Sequence, residues 1–269
     1  MTIPATPRPL PILLYHSVND DPPSWIAPFT VSVRTFGRQL DLVKASGLVP
    51  VTGRQVVESL RGGPRLPPEA VLITFDDGFR DFVEAALPAL SERRLPATLF
   101  VTTGSLAPVN RSLLPPAAMM RLKEVVAVAE EGVEIGAHSH THPQLDTVPR
   151  AHVLAELSRS RQTLEDALGT AVTLFAYPHG YADERVRDLA RQTGYDGAFA
   201  VRNALSSPTD DAFRIARLTV RADIGADRFA QWLRGEDTRV APHRESVATK
   251  LWRGYRKGRA ALRAYSGAP

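Results

Sequence analysis

Two adjacent carboxylates, Asp76 and Asp77, stand at the end of the apolar run Val71-Leu72-Ile73 and just before Gly78. The run is short and β-branched, so it reads as a buried strand. Ionised carboxylates side by side repel one another and need water, a cation or a proton between them. This suggests that one binds a metal and the other moves a proton. The alternative is a strand followed by an Asp-rich turn that caps the next helix. Three further apolar runs also end in reactive residues: Tyr15-His16, the HSHTH stretch at 138–142, and Tyr177-Pro178-His179-Gly180. Five of the seven histidines lie at these ends, with His152 and His243 the exceptions. The chain has no cysteine, so any metal must be held by His and Asp or Glu. His138 and His142 are four apart. On one helical turn they would share a face and take one ion, with His140 pointing elsewhere and Ser139 and Thr141 bonding the loop or the imidazoles. Two His plus one Asp leave a tetrahedral ion an open position for water, which is the catalytic arrangement. A surface loop that is simply His-rich is the alternative.

The elements that must bring these ends together alternate along the chain. Strands are expected at 10–15, 48–51, 70–75, 97–101, 133–137, 172–177, 197–201 and 213–220. Helices are expected from Ser32 to Gly47, from Thr52 to Gly62, and over 79–93 with a kink or a break at Pro88. Further helices are expected over 117–131, 147–168, 183–193 and 227–233. Strands alternating with helices argue for a parallel sheet, and an unbroken run of such units favours a barrel, where chemistry sits at the strand ends. The proline-rich segments 17–31 and 103–116 read as loops that would shape a groove.

TFDDG at Thr74–Gly78, HSHTH at His138–His142 and AYPHG at Ala176–Gly180 resemble, in this order and with these wide gaps, the first three motifs of the polysaccharide deacetylases. This is the NodB-homology family, carbohydrate esterase family four. The resemblance covers roughly residues 10–235. It implies an α/β fold, a distorted (β/α) barrel of about seven parallel strands. It also implies a divalent metal, usually zinc, and hydrolysis of N-acetyl groups on sugars. Carried over, Asp76 matches the catalytic base, and Asp77, His138 and His142 match the metal triad. Tyr177, Pro178, His179 and Gly180 match the groove wall, where a backbone N–H near His179 would help hold the oxyanion.

Two departures stand out. Ala176 occupies the position of an Arg that typically orients the base, and no histidine lies between His179 and His243 to serve as the C-terminal acid. Both resemble the poly-N-acetylglucosamine deacetylase branch. Its domain is circularly shifted, its acid comes from an early Tyr-His, and it carries an Arg on a late strand. The resemblance therefore implies His16 as general acid and Arg217, in FRIARLTV, as the group that orients Asp76; a surface or packing Arg is the alternative. The His₂Asp donor set also suits Co²⁺, Ni²⁺ or Mn²⁺.

The net charge of +4 comes mostly from a tail after Thr238. Arg239, Arg244, Lys250, Arg253, Arg256, Lys257, Arg259 and Arg263 face a single acid there, Glu245. The expected division is a deacetylase domain over 1–237 and a basic tail over 238–269. The tail reads as solvated and partly disordered, or, through Leu251, Trp252 and Tyr255 among the cations, as a peripheral contact with an anionic membrane. No nucleic-acid partner is expected from so weak a signal. The N-terminus makes a poor signal peptide and no apolar run is long enough to span a bilayer, so the expected location is cytoplasmic, at most membrane-peripheral. The expected partner is an N-acetylated glycan. A G-x-S-x-G elbow is absent, which argues against a serine hydrolase. Two other readings stand beside the deacetylase: an inactive glycan-binding module, and a hydrolase of another small amide.

Overall fold

A computed structural model describes residues 8–243 and 247–266. The first seven residues of the proline-rich start lie outside the described residues. So do Arg244 and Glu245 of the basic tail and the side chains of Lys250 and Arg263.

The strands in chain order are β1 (Ile12–Tyr15), β2 (Ser17–Val18), β3 (Thr30–Val31), β4 (Val49–Val51), β5 (Ala70–Phe75) and β6 (Thr98–Val101). They continue with β7 (Glu134–Ala137), β8 (Leu174–Ala176), β9 (Gly197–Phe199), β10 (Ala204–Leu205), β11 (Leu218–Thr219) and β12 (Arg239–Val240). The helices are α1 (Val33–Ala45), α2 (Gly53–Leu60), α3 (Leu87–Arg93), α4 (Leu122–Glu130), α5 (Arg150–Leu168), α6 (Glu184–Gln192), α7 (Ala226–Arg234) and α8 (Val247–Ser266).

Eight strands form one parallel sheet in the order β11-β1-β5-β6-β7-β8-β9, with β4 also pairing the first half of β5. The sheet curls until Phe199 bridges Ile215, just ahead of β11, so the fold is the expected distorted (β/α) barrel. Two short parallel ladders, β2 with β3 and β10 with β12, sit beside it.

Period-two alternation sorts the side chains into two cores. Leu13, Tyr15, Val71, Ile73, Phe75, Leu99 and Val101 face the surrounding helices. Ile12, Leu72, Phe100, Leu174, Ala176 and Phe199 fill the barrel interior together with Val56 and Val57 of α2, which plugs one end. That end is sealed by polar pairs as well. Thr98 donates to Glu134, and the Gly53 and Arg54 N–H groups at the start of α2 donate to Thr98 and Glu134. The opposite end, where the strands finish, is open.

Three expectations need adjusting. The helix anticipated over 79–93 begins as a π-helical stretch, Phe82–Ala86, and becomes α3 only around Pro88. Pro88 has no N–H to give a regular α-turn, so the wider turn ahead of it accommodates the ring where a kink or a break was anticipated. The strand anticipated over 213–220 is regular only at Leu218–Thr219, with Ile215 making a single isolated bridge to Phe199 ahead of it. The C-terminal tail contains α8, which packs over that mouth through Arg256 and Tyr181.

Candidate active site and metal centre

Alternation carries the reactive residues to the open end. In β5 the inward set is Ala70, Leu72 and Thr74, and Asp76 continues it two residues on. By the same parity His16 follows Ile12, His138 follows Gly136, and Arg217 and Thr219 flank the outward Leu218. The site is thus the last layer of the barrel interior, in which polar groups replace the apolar filling below.

Asp76 and Arg217 form its floor. Arg217 is fully buried, at 0% exposure. Its Nη1 and Nη2 each donate to one oxygen of Asp76, both at 2.7 Å. The guanidinium lies 5.4 Å from the Phe100 ring centroid and 5.9 Å from that of Phe199, and Nε donates to the Ala200 carbonyl. A bidentate carboxylate and two aromatic faces are what a buried guanidinium requires. Burial pushes the Asp76 carboxyl up, but the Arg217 charge, His138 and the Arg217 hydrogen bonds outweigh it and hold Asp76 below its usual range. Asp76 is therefore an oriented, ionised carboxylate.

Asp77 has the opposite parity and would point away from the mouth. Its φ of 74° turns it back, and Gly78 at φ 87° continues the turn. A Cβ is disfavoured at such φ, so the glycine after the pair has a backbone reason. Asp77 Oδ1 lies 3.5 Å from His138 Nε2 and 3.3 Å from His142 Nε2, and all three residues are buried. Residues 138–142 are not helical, contrary to the expected shared helix face. Ser139 and His142 both have φ 64°, and the Ser139 hydroxyl accepts from the His142 N–H, so a tight turn folds the second imidazole back onto the first. His140 points away, its Nδ1 2.8 Å from the Thr103 hydroxyl.

Three observations fit this trio to a divalent cation. Asp77 Oδ1 is buried without a hydrogen-bond partner. His138 Nδ1 sits 2.8 Å from the Ala176 carbonyl, so the proton resides there and Nε2 offers its lone pair to the cluster. Burial lowers both His138 and His142, keeping the imidazoles in the neutral form that binds metal, while burial and then Asp76 push Asp77 well up. A cation between the three would satisfy the orphan oxygen and hold Asp77 anionic.

The loop that carries the histidines is held by Glu156 of α5. This carboxylate accepts from the His140 N–H at 2.8 Å, the Thr141 N–H at 2.7 Å and the Thr141 hydroxyl at 2.6 Å. Glu156→Ala leaves one buried and one half-buried N–H group unpaired. It should cost about 2–3 kcal/mol of stability and weaken metal binding roughly 10- to 100-fold. Denaturant unfolding and metal titration of the variant check both figures.

The remaining expected residues divide. His16 lines the cleft beside Phe29, its Nδ1 buried without a partner, and burial pushes it down to about 4. His179, at φ 58°, also lines the cleft; its ring lies 4.6 Å from that of His142, and burial lowers it to about 4. Tyr177 does not face the cleft. Alternation in β8 turns it to the helix side, where it is fully buried and its hydroxyl donates to the Phe213 carbonyl. Pro178 and Gly180 shape the turn that exposes His179, and a Cβ on Gly180 would meet Val201 at 2.4 Å. The Tyr177 and Gly180 N–H groups already donate to the Phe199 and Tyr177 carbonyls.

The cleft above this layer has a volume of about 950 Å³ and reaches from Trp25 and Leu114 to α8. Two of its supports were not anticipated. Arg256 of α8 binds both oxygens of buried Asp146 at 2.8 Å and lies 3.5 Å from the Tyr181 ring centroid. Tyr181 in turn stacks on His179 at 5.8 Å. Only a solitary acid four residues after His142 hinted at this in the sequence.

Comparison with known proteins agrees with this architecture. The solved structure of IcaB from Ammonifex degensii superposes with a TM-score of 0.73 at 25% identity, over 85% of this chain and 97% of that one. The Streptococcus pyogenes deacetylase PplD, solved with acetate, has the same fold, with a TM-score of 0.74 at 24% identity over 84% of this chain and 98% of that one. A Staphylococcus aureus poly-β-1,6-N-acetyl-D-glucosamine N-deacetylase is 22% identical over 213 residues, 77% of this chain and 73% of that protein. The family model for polysaccharide deacetylase matches residues 63–198, which span β5 with its two aspartates, the histidine turn and the His179 turn, and the chain belongs to that family.

Proposed function

We propose that this protein is a metal-dependent hydrolase that removes N-acetyl groups from N-acetylglucosamine-type sugars in a polysaccharide, oligosaccharide or lipid-linked glycan, releasing acetate. The observation that carries this is the pairing of an Arg217-clamped, ionised Asp76 with a buried Asp77/His138/His142 trio whose Asp77 Oδ1 has no hydrogen-bond partner. A divalent ion held by the trio, zinc by preference for its donor set, would polarise the acetyl carbonyl and lower the pKa of a water to about 7.

The chain's own groups do the rest. Asp76 takes the proton of the attacking water, and Arg217 keeps its carboxylate aimed and ionised beforehand. The backbone N–H of His179 faces the oxyanion that develops on the carbonyl. His16 passes a proton to the departing amine. Burial holds His16 neutral in the free protein, so it takes up that proton from solvent in the substrate complex, as the negative charge developing on the reacting carbonyl oxygen favours the imidazolium.

Acetate release from N-acetylglucosamine oligomers, by chelated enzyme with and without divalent ion added back, tests the reading. Activity should vanish on chelation and return with Zn²⁺ or Co²⁺. No acetate from any oligomer at full metal occupancy would overturn it in favour of a glycan-binding module. His138→Ala should lose the ion, because one of three donors and the Ala176-oriented tautomer go with it; elemental analysis that still finds one ion per chain would remove His138 from the ligand set.

A further inference from the structure

We infer that α8 completes the substrate cleft with a carbohydrate platform made of Trp252 and Tyr255. The inference rests on the deacetylase reading and assigns to the same cleft a second sugar-binding position, away from the reacting acetamido group.

The platform belongs to the catalytic cleft itself. Trp252, Tyr255 and Arg259 line the cavity whose floor carries Asp76, Asp77 and His138. The two rings stack, centroids 5.4 Å apart and 23° from parallel. Trp252 is 51% exposed and Tyr255 56% exposed, and large apolar surface of this kind marks a place where something binds.

It is also fixed in place. The Trp252 indole N–H donates to the Tyr181 hydroxyl at 3.2 Å. One turn on, Arg256 latches α8 to Asp146 and covers the Tyr181 ring, and Lys257 binds Asp183 at 2.7 Å. A helix that was simply a solvated tail would not bury an arginine in a bidentate pair. The latch holds the rings over the same turn that carries His179, so their position relative to the site is set by the fold.

The chemistry that fits is a pyranose ring. One face of such a ring presents C–H groups that pack on flat aromatic surface, while its edge hydroxyls meet nearby polar groups such as Arg259. The reacting acetamido group must lie at the Asp77/His138/His142 trio, so the ring on α8 belongs to another unit of the same glycan. The enzyme should therefore favour oligomers over the monosaccharide. An anionic membrane is the competing occupant, since α8 has no acidic residue and also exposes Leu251 at 70% and Leu262 at 71%. The glycan is favoured because the aromatic pair sits inside the cleft.

The test compares full-length wild type with Trp252→Ala, Tyr255→Ala and the double variant. Substrates are a small aryl acetate ester, N-acetylglucosamine, and its oligomers of increasing length. The double variant should raise KM for the longer oligomers by about tenfold, roughly the weight of one such contact. Turnover of the ester and the monosaccharide should be unchanged. Equal losses on ester and oligomer, or an unchanged oligomer KM, would overturn the platform. So would loss of co-sedimentation with anionic phospholipid vesicles while oligomer kinetics stay intact, which would give the face to a membrane. If wild type releases no acetate from any sugar, the deacetylase reading fails by itself. The platform is then read by fluorescence titration of wild type and Trp252→Phe/Tyr255→Ala with the oligomers, and equal affinities would refute it.

Discussion

Asp76→Asn should lower acetate release by about 10²- to 10⁴-fold, the usual weight of a positioned general base, while the protein still binds one divalent ion. The trio proposed to hold the ion is untouched by the change, and the amide cannot accept the proton of the attacking water. Asp77→Asn should do the reverse and lose the ion first, because it removes the only anionic donor of the three. Paired measurement of metal content and acetate release separates the two. An Asp76→Asn enzyme within tenfold of wild type would take the base role away from Asp76, and an Asp77→Asn enzyme with full metal content would take Asp77 out of the ligand set.

Neighbouring residues of one chemical type acquire different surroundings because a single backbone step places them differently. Asp76 continues the inward face of β5 and meets a buried guanidinium; Asp77 would point outwards but is turned back by a positive φ and meets two imidazoles. The cation of the protein itself is committed to the first carboxylate. The second is left to be neutralised by a cation from outside, and on the proposed reading this division of charge is what would make a metal centre and a base out of one dipeptide.

Much of this was legible in the sequence because it depends on short runs. β-branched strands that end in Asp or His, with helices between, are local patterns, and the barrel rule says where their ends meet. Tyr177 was within reach as well: Ala176 faces the interior, so its neighbour must face the helices. The fold of the histidine turn was out of reach. A spacing of four suits one helical turn, but two positive φ values and a Ser139 bond decided otherwise, and nothing in the residue types fixes those angles. Glu156 left a trace as an acid on the buried face that Val153, Leu157 and Leu164 define on α5. The α8 latch left almost none, since Arg256 and Asp146 are 110 residues apart and each alone looks like a surface charge.

Arg217→Met should cost about 3–5 kcal/mol of stability, because it strands the Asp76 carboxylate in a buried site. Against a typical total of about 5–15 kcal/mol, this is a large share. The pH dependence distinguishes a lost charge partner from lost packing. In the metal-free wild type Asp76 is held below its usual range, so its contribution is fully present above the unfolded carboxylate value of about 3.9 and is lost as pH falls through the folded value. In the variant the charge and hydrogen bonds of Arg217 are gone, so burial, the largest influence, pushes the carboxyl up instead. Stability is then penalised at neutral pH and partly recovered as acid neutralises the group. The gap between wild type and variant should be widest near pH 7.5 and narrower near pH 5 in urea unfolding of the apo proteins. Arg217→Lys should recover part of the stability but not the activity, since an ammonium cannot hold both Asp76 oxygens in a fixed plane. A Lys enzyme with normal turnover would reduce Arg217 to a counter-charge, and a gap independent of pH would mean that its packing on Phe100 and Phe199, not its charge, is what the fold needs.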